Sequence, residues 1–167
     1  HNVFGPRQNI SDPFRNVVGI FFRCAKQGLP LPVFGDGKQT RSFSYIDVVA
    51  GCIAESTNCE RARNEVFNVG GDQAMSVIAL AEAVTRLTDA KGGIDFLPPR
   101  KEVLHAHASH AKAREVFPGV FDRATSLEDG LALMKDFVQS IEVPPPTPCP
   151  AKLEIRDELP ETWSRLL

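Results

Sequence analysis

The segment that most constrains this fold is residues 32–47, which read PVFGDGKQTRSFSYID. Two short strand-like runs, residues 31–34 and 41–46, lie on either side of a turn that contains Gly35 and Gly37. Glycines between two apolar or aromatic runs are typical of a tight connection between strands. Asp47 is then predicted to cap a following helix. The segment therefore predicts short strands interleaved with helices.

The rest of the chain continues this alternation as far as about residue 140. Apolar residues recur at three- and four-residue intervals in several stretches, which predicts amphipathic helices, while residues 1–13 are predicted to be a loop because of their Gly-Pro and Asp-Pro turn signals. Two of the predicted helices begin at serine caps, Ser76 and Ser126. The predicted helices cover residues 14–28, 47–57, 76–87, 111–117 and 126–140, and further strands cover residues 65–69 and 94–97.

Composition limits the kinds of partner that this chain can bind. Nineteen basic and 21 acidic residues give a net charge of -2, so there is no basic field for nucleic acid and no polybasic membrane anchor. No apolar run approaches the length of about 18 residues that a transmembrane helix needs. The four cysteines are scattered without a CxxC pair, which favours reduced thiols and a cytoplasmic location.

A few residues are candidates for binding a phosphorylated ligand. Arg41 follows the glycine turn at the start of a strand, where a fixed guanidinium can pair bidentately with phosphate oxygens. Val33 and Phe34 offer an apolar strand end to a base, and the amides of Asn2 and Asn16 can bond a sugar hydroxyl or a phosphate. Taken singly, each feature fits the simpler interpretation better: a surface arginine, a buried strand, and amides that cap turns.

The metal and redox motifs give weaker or negative signals. His105, His107 and His110 form HxHxxH, but no acidic or thiol ligand lies nearby, so we predict no metal site. No GxxGxxG or GxGxxG occurs, although a dinucleotide needs such a turn for its pyrophosphate. Tyr45 is the only tyrosine and no lysine follows it in a YxxxK pair. The chain thus carries no recognisable machinery for hydride transfer.

Several segments, in order, resemble the C-terminal half of one family. They are HNVFGPRQ, DPFRNVVGIF, PLPVFGDGKQTRSFSYID, EVFNVGG, SVIALAEAV and PPRKEV. The family is the extended short-chain dehydrogenase/reductases, and within it the UDP-glucose 4-epimerase-like NAD-dependent epimerase/dehydratases. The resemblance implies an α/β chain that is the C-terminal part of a Rossmann-like doubly wound fold plus the small substrate-binding domain, with the N-terminal NAD-binding half missing. It implies a substrate-binding portion over residues 1–140 and a proline-rich tail over residues 141–167.

The resemblance also implies roles for particular residues. Asn2 would face the sugar nucleotide, Asn16 and Val17 would approach the diphosphate, and Val33 with Phe34 would line the uracil site. Arg41 would hold the diphosphate, and Arg100 with Glu102 would bracket the phosphates and ribose. The backbone at Val3, Gly5 and Pro6 would lie near the nicotinamide of NAD.

The sequence departs from the family pattern at several positions. Many members have Asp where this chain has Ser42 and a second acid where it has Val48. The glycine that usually separates the arginine from the acid is here Lys101. Ser109 and Ala111 stand where members often have Asp and Ser at the start of a helix.

The function predicted from this resemblance is binding of UDP or a UDP-sugar, as part of a nucleotide-sugar 4-epimerase, an isomerase that uses NAD. Alone, the chain is expected to be inactive and to bind no NAD, because it lacks the catalytic and cofactor motifs. One alternative is a non-enzymatic association module, since parallel strands are apolar on both faces and need cover from a second copy or from a partner that supplies the missing half. Another is a remnant of a sugar-nucleotide 4,6-dehydratase or decarboxylase.

Overall fold

The computed structural model describes residues 2–12, 16–143 and 145 of the chain. Helices and short strands alternate through these ranges. The helices are α1 (Val17–Lys26), α2 (Ile46–Ser56), α3 (Val77–Thr88), α4 (Ala111–Val116), α5 (Pro118–Asp122) and α6 (Leu127–Ser140), with a 3₁₀ turn at Glu60–Ala62. The strands are β1 (Val3–Phe4), β2 (Leu31–Phe34), β3 (Thr40–Ser42), β4 (Ser44–Tyr45), β5 (Ala74–Ser76), β6 (Ile94–Leu97) and β7 (His105–Ala106).

The strands of the described ranges form three small sheets. β1 pairs with β4 and β2 pairs with β6, both in parallel. β3 is the centre of the third sheet, antiparallel to β5 and parallel to β7. Parallel partners need a long crossover between them, and α2 and α3 lie in the connection from β2 to β6.

Side-chain caps start three of the helices. The Asn16 side chain accepts from the backbone N–H of Val18, which starts α1. Ser76 accepts from Ala79 and Ser126 accepts from Asp129, so both predicted serine caps are confirmed. Each cap satisfies a backbone donor that the first helical turn leaves without a partner.

Two apolar clusters hold the elements together. The larger joins α1, α3 and α6 to β2, and its fully buried members include Phe21, Phe22, Leu80 and Met134. The smaller joins α2 to α4 and α5, around Val48, Cys52, Ala113, Phe117, Val120 and Phe121. No helix in the described ranges combines the length and the apolar character that crossing a bilayer requires.

The structure differs from the predicted strands in three places. Residues 65–69 form no strand, because no other strand pairs with them in the described ranges. Phe67 and Val69 instead pack on the smaller cluster, and the Val66 carbonyl accepts a hydrogen bond from Lys112 Nζ at 3.0 Å. The run 41–46 is broken at Phe43, which is buried, because β3 and β4 belong to different sheets. Residues 3–4, predicted to be loop, form β1.

Three predicted helices also have different bounds in the structure. Asp47 is not the cap of α2 but lies in its first turn, since the helix begins at Ile46 and Tyr45 is the N-cap. The predicted helix over residues 111–117 is two helices, because Pro118 has no N–H to continue α4 and instead opens α5. For the predicted helix over 14–28, Phe14 is outside the described residues, and α1 begins at Val17.

Candidate functional site

Arg41, Arg100 and Glu102 lie together beside β3. Arg41 Nη2 is 2.8 Å from Glu102 Oε2, and Arg100 Nε is 3.2 Å from Glu102 Oε1. The side chains of Arg41 and Glu102 are 16% and 20% exposed, whereas that of Arg100 is 44% exposed. Two guanidinium groups thus share one carboxylate and leave one net positive charge, which suits an anionic ligand.

The guanidinium of Arg41 is held by three hydrogen bonds within the described ranges and keeps two N–H groups for a ligand. Its Nη1 donates to the carbonyls of Thr40 and Leu104, at 2.8 Å and 3.2 Å. With one Nη2 hydrogen on Glu102, three of the five N–H donors of an arginine are used within the described residues. The Nε–H and the second Nη2–H remain for a phosphate oxygen.

Phe34 and Val33, predicted to line a base site, differ in what they can offer. Arg100 Cζ lies 4.3 Å from the centroid of the half-buried Phe34 ring, so the guanidinium covers one face of that ring. The side chain of Val33 is fully buried in the larger cluster. Contact between Val33 and a base would therefore come from its backbone.

The two predicted asparagines make hydrogen bonds within the chain. Asn2 Nδ2 donates to the Ser42 carbonyl at 3.3 Å, one residue from Arg41. Asn16 Nδ2 donates to the Val3 carbonyl at 2.7 Å, while its Oδ1 caps α1, whose first residue is the half-buried Val17. These bonds connect β3, β1 and the start of α1, so the amides position the segments predicted to surround the ligand.

The predicted nicotinamide contacts line a shallow cavity of about 250 Å³. Val3, Gly5 and Pro6 form part of its wall, together with Gln8 and Ile46. A Cβ on Gly5 would lie 2.6 Å from Ile46 Cγ2, so a larger residue there would force the Ile46 side chain to move. A cavity of this size fits one ring of a dinucleotide, and the chain has no glycine-rich turn for the pyrophosphate. We therefore assign no hydride step to the described residues.

The HxHxxH histidines diverge. His105 Nδ1 is 2.9 Å from Thr40 Oγ1, whereas His110 is buried with Nδ1 3.0 Å from Asp72 Oδ1. Within the ranges that the structure describes, no three His, Cys, Asp or Glu side chains converge as a metal site. Partial burial by itself raises the pKa of Asp72, but hydrogen bonds from His110 and Arg114 outweigh it and hold that pKa below its usual range.

Comparison with known proteins decides the family. Residues 1–70 match the model of the NAD dependent epimerase/dehydratase family. UDP-glucuronic acid decarboxylase 2 of Arabidopsis thaliana is 35% identical over 143 residues, which are 84% of this chain and 31% of that protein. This chain belongs to the NAD-dependent epimerase/dehydratase family. It spans between 29% and 32% of the length of four curated relatives that it matches.

Solved structures of epimerases confirm the Rossmann-like α/β fold. An epimerase from Methanothermobacter thermautotrophicus superposes with a TM-score of 0.76 at 27% identity, covering 83% of this chain and 41% of that one. UDP-glucuronic acid 4-epimerase from Bacillus cereus, solved with UDP-glucuronic acid and NAD, gives a TM-score of 0.71 at 26% identity, covering 83% and 43%.

Sequence reasoning missed one residue of the arginine cluster. Gln39 is 7% exposed, and its Nε2 donates to the Phe34 carbonyl and to Glu102 Oε1. A glutamine just after a glycine turn is ordinarily a solvated loop residue, so nothing in its position signals burial. Its burial follows from the loop that carries Glu102 folding back against β3.

Proposed function

We propose that this chain forms the UDP-sugar-binding part of an NAD-dependent nucleotide-sugar enzyme. The observation that carries the proposal is the convergence of Arg41 and Arg100 on one partly buried carboxylate beside Phe34. A nucleoside diphosphate needs cationic donors for its phosphates, an apolar surface for its base, and an acceptor for its ribose hydroxyls. The cluster offers all three within one small region.

Each side chain has a distinct part in this binding mode. Arg41 donates its two remaining N–H groups to the diphosphate, and its backbone contacts keep the guanidinium in place. Arg100, the more exposed arginine, follows the outer phosphate and leaves the face of Phe34 to the uracil. Glu102 accepts from the ribose hydroxyls, while Asn2 and Asn16, with Val17, hold the segments that face the sugar and the diphosphate.

The contribution of these residues to catalysis is positioning. NAD, when bound in the family, supplies the oxidising and reducing chemistry, and we propose that this chain alone neither binds the whole cofactor nor turns over substrate. Val3, Gly5 and Pro6 would contact only its nicotinamide end. Residues 1–140 would form the substrate-binding portion and residues 141–167 a proline-rich tail, whose Ile141 and Val143 pack on the larger cluster, in a cytoplasmic protein.

A second candidate reaction, decarboxylation of a UDP-uronic acid, is supported by several of the curated relatives. Four of them, 33% to 36% identical to this chain, are UDP-glucuronic acid or UDP-N-acetyl-glucosaminuronate decarboxylases. Epimerases are also among the curated relatives, and both epimerases and dehydratases are among the solved structures. Tighter binding of UDP-glucuronic acid than of UDP-glucose supports a uronic acid as the substrate. Both the decarboxylases and a UDP-glucuronic acid 4-epimerase are named for that substrate, so the reaction itself is distinguished by the product that the full-length enzyme releases.

A thermal-shift titration tests the binding function. UDP is expected to raise the melting temperature, because a ligand that binds only the folded state stabilises it by about 2.7 kcal/mol at a hundred times its Kd. UMP, which lacks the second phosphate, and GDP, which has a larger base, should raise it less. Arg41→Met should abolish the UDP effect, whereas Arg63→Met, a control at an exposed arginine paired with Glu60, should not.

The proposal fails if UDP leaves the melting temperature unchanged, or if Arg41→Met responds to UDP like the wild type.

The association hypothesis is tested separately by light scattering at micromolar concentration. A dimer or larger assembly is the expected result, since β1 and β4 form only a two-stranded sheet in the described ranges. A monomer at all concentrations contradicts it.

A further inference from the structure

Gln39 is a buried polar side chain at the centre of the arginine cluster. Its carboxamide nitrogen donates to the Phe34 carbonyl at 3.1 Å and to Glu102 Oε1 at 3.3 Å. Buried polar groups in native proteins are nearly always hydrogen-bonded, and here one NH₂ group serves two acceptors that are far apart in the sequence. Gln39 therefore connects the end of β2 with the loop that carries the carboxylate.

The backbone around Gln39 is itself fixed, which makes this connection rigid. The Gln39 carbonyl accepts from Val77 N at 3.0 Å, at the first residue of α3. Thr40, the next residue, begins β3 and donates its N–H to the Leu104 carbonyl at 2.8 Å. The carboxamide thus starts from a backbone position that both α3 and the Glu102 loop constrain.

Glu102 receives three donors, and Gln39 is the most buried of them. Arg100 is 44% exposed and already lies over the Phe34 ring, so its pairing with Glu102 is weakened by solvent. Arg41 contacts the other carboxylate oxygen, Oε2. Without Gln39, Oε1 would keep only the exposed Arg100 as a donor in the described ranges, and the carboxylate would be held less firmly in the orientation that it has against Arg41.

We propose that Gln39 is a positioning residue of the nucleotide site: it holds the Glu102 carboxylate, and through Glu102 it sets the position of Arg41. It does not contact the ligand. This inference rests on the proposed function, because it concerns how the same site is kept ready for a diphosphate. It predicts that the effect of Gln39 on binding passes through Glu102.

A double-mutant cycle on UDP affinity, measured by calorimetry on the full chain, tests this. Gln39→Leu keeps the approximate size and removes the donor, and should weaken UDP binding about fivefold, the factor for one ordinary hydrogen bond. In a Glu102→Met background the same substitution should change affinity less than twofold, because its acceptor is absent. Lys38→Met is the control, since Lys38 is exposed, pairs with Asp36 and lies one residue away.

Melting temperatures are recorded for every variant, and Gln39→Asn, one methylene shorter, replaces Gln39→Leu if the latter does not fold. A merely structural role would lower stability and affinity equally in both backgrounds, and that result overturns the inference. Wild-type affinity in Gln39→Leu also overturns it while leaving the proposed function intact. Absence of UDP binding by the wild type would instead refute the proposed function, and the inference with it.

Discussion

Asp47 connects two distant segments of the chain, and its removal should be costly. Its Oδ2 accepts from the backbone N–H and the hydroxyl of Thr125, at 2.8 Å and 2.5 Å, while its Oδ1 accepts from Val48 N at 2.6 Å. A hydrogen bond to a charged group contributes about 1.5–3 kcal/mol, and a carboxylate in the first turn of a helix about 0.3–1 kcal/mol more. Because Asp47 is half-buried and water replaces part of these bonds, we expect Asp47→Ala to lower the free energy of unfolding by about 3 kcal/mol.

Urea denaturation followed by circular dichroism measures this loss. Asp47→Asn should cost less, about 1–2 kcal/mol, because one acceptor oxygen remains while the charge is lost. Asp89→Asn is the matched control: Asp89 is 85% exposed, pairs only with Lys91 in the described ranges, and has the positive φ that asparagine tolerates. A change of less than about 0.5 kcal/mol in Asp47→Ala, the size expected of a surface substitution, would refute the reasoning.

Three further predictions concern a helix end, an acid and the thiols. Lys26 Nζ donates to the carbonyls of Val138, Gln139 and Ile141 at the end of α6. Lys26→Met should therefore lower the free energy of unfolding by about 1–2 kcal/mol in urea denaturation, and an unchanged value would contradict this. Asp72 has a lowered pKa, so it stabilises the fold above the unfolded-state pKa of about 4 and loses this effect as pH falls through the folded value. The difference in stability between the wild type and Asp72→Asn should therefore be largest near pH 7 and shrink as the pH falls below about 4, and a constant difference would contradict it. Burial raises the pKa of the Cys24 and Cys52 thiols. In peptide mapping after alkylation at pH 8, both should therefore be labelled more slowly than the half-buried Cys59, and equal labelling rates would contradict this.

The parts of the fold that depend on residues close together in the sequence were predictable from the sequence. The serine caps of α3 and α6 are local, since each cap bonds an N–H three residues ahead. The strands β2 and β6 were predicted from short apolar runs beside glycine or proline. By contrast, residues 65–69 have the composition of a strand, but a strand needs a partner that the run itself does not specify. Composition thus identified the run but not its pairing.

The candidate site shows the same division. Arg41 and Glu102 are 61 residues apart, so no local spacing predicts their contact, and only the family resemblance placed them in one site. Gln39 escaped both kinds of reasoning, because its burial is created by a loop that begins some 60 residues later. The resemblance likewise did not indicate that Arg100 covers Phe34 or that the side chain of Val33 is fully buried.

The central claim is that Arg41 and Arg100 hold the diphosphate of a uridine nucleotide. A crystal structure of this chain grown with UDP measures this directly. We predict phosphate oxygens within hydrogen-bonding distance of both guanidinium groups and the uracil ring against Phe34. UDP bound elsewhere, with its phosphates in contact with neither arginine, would contradict the claim.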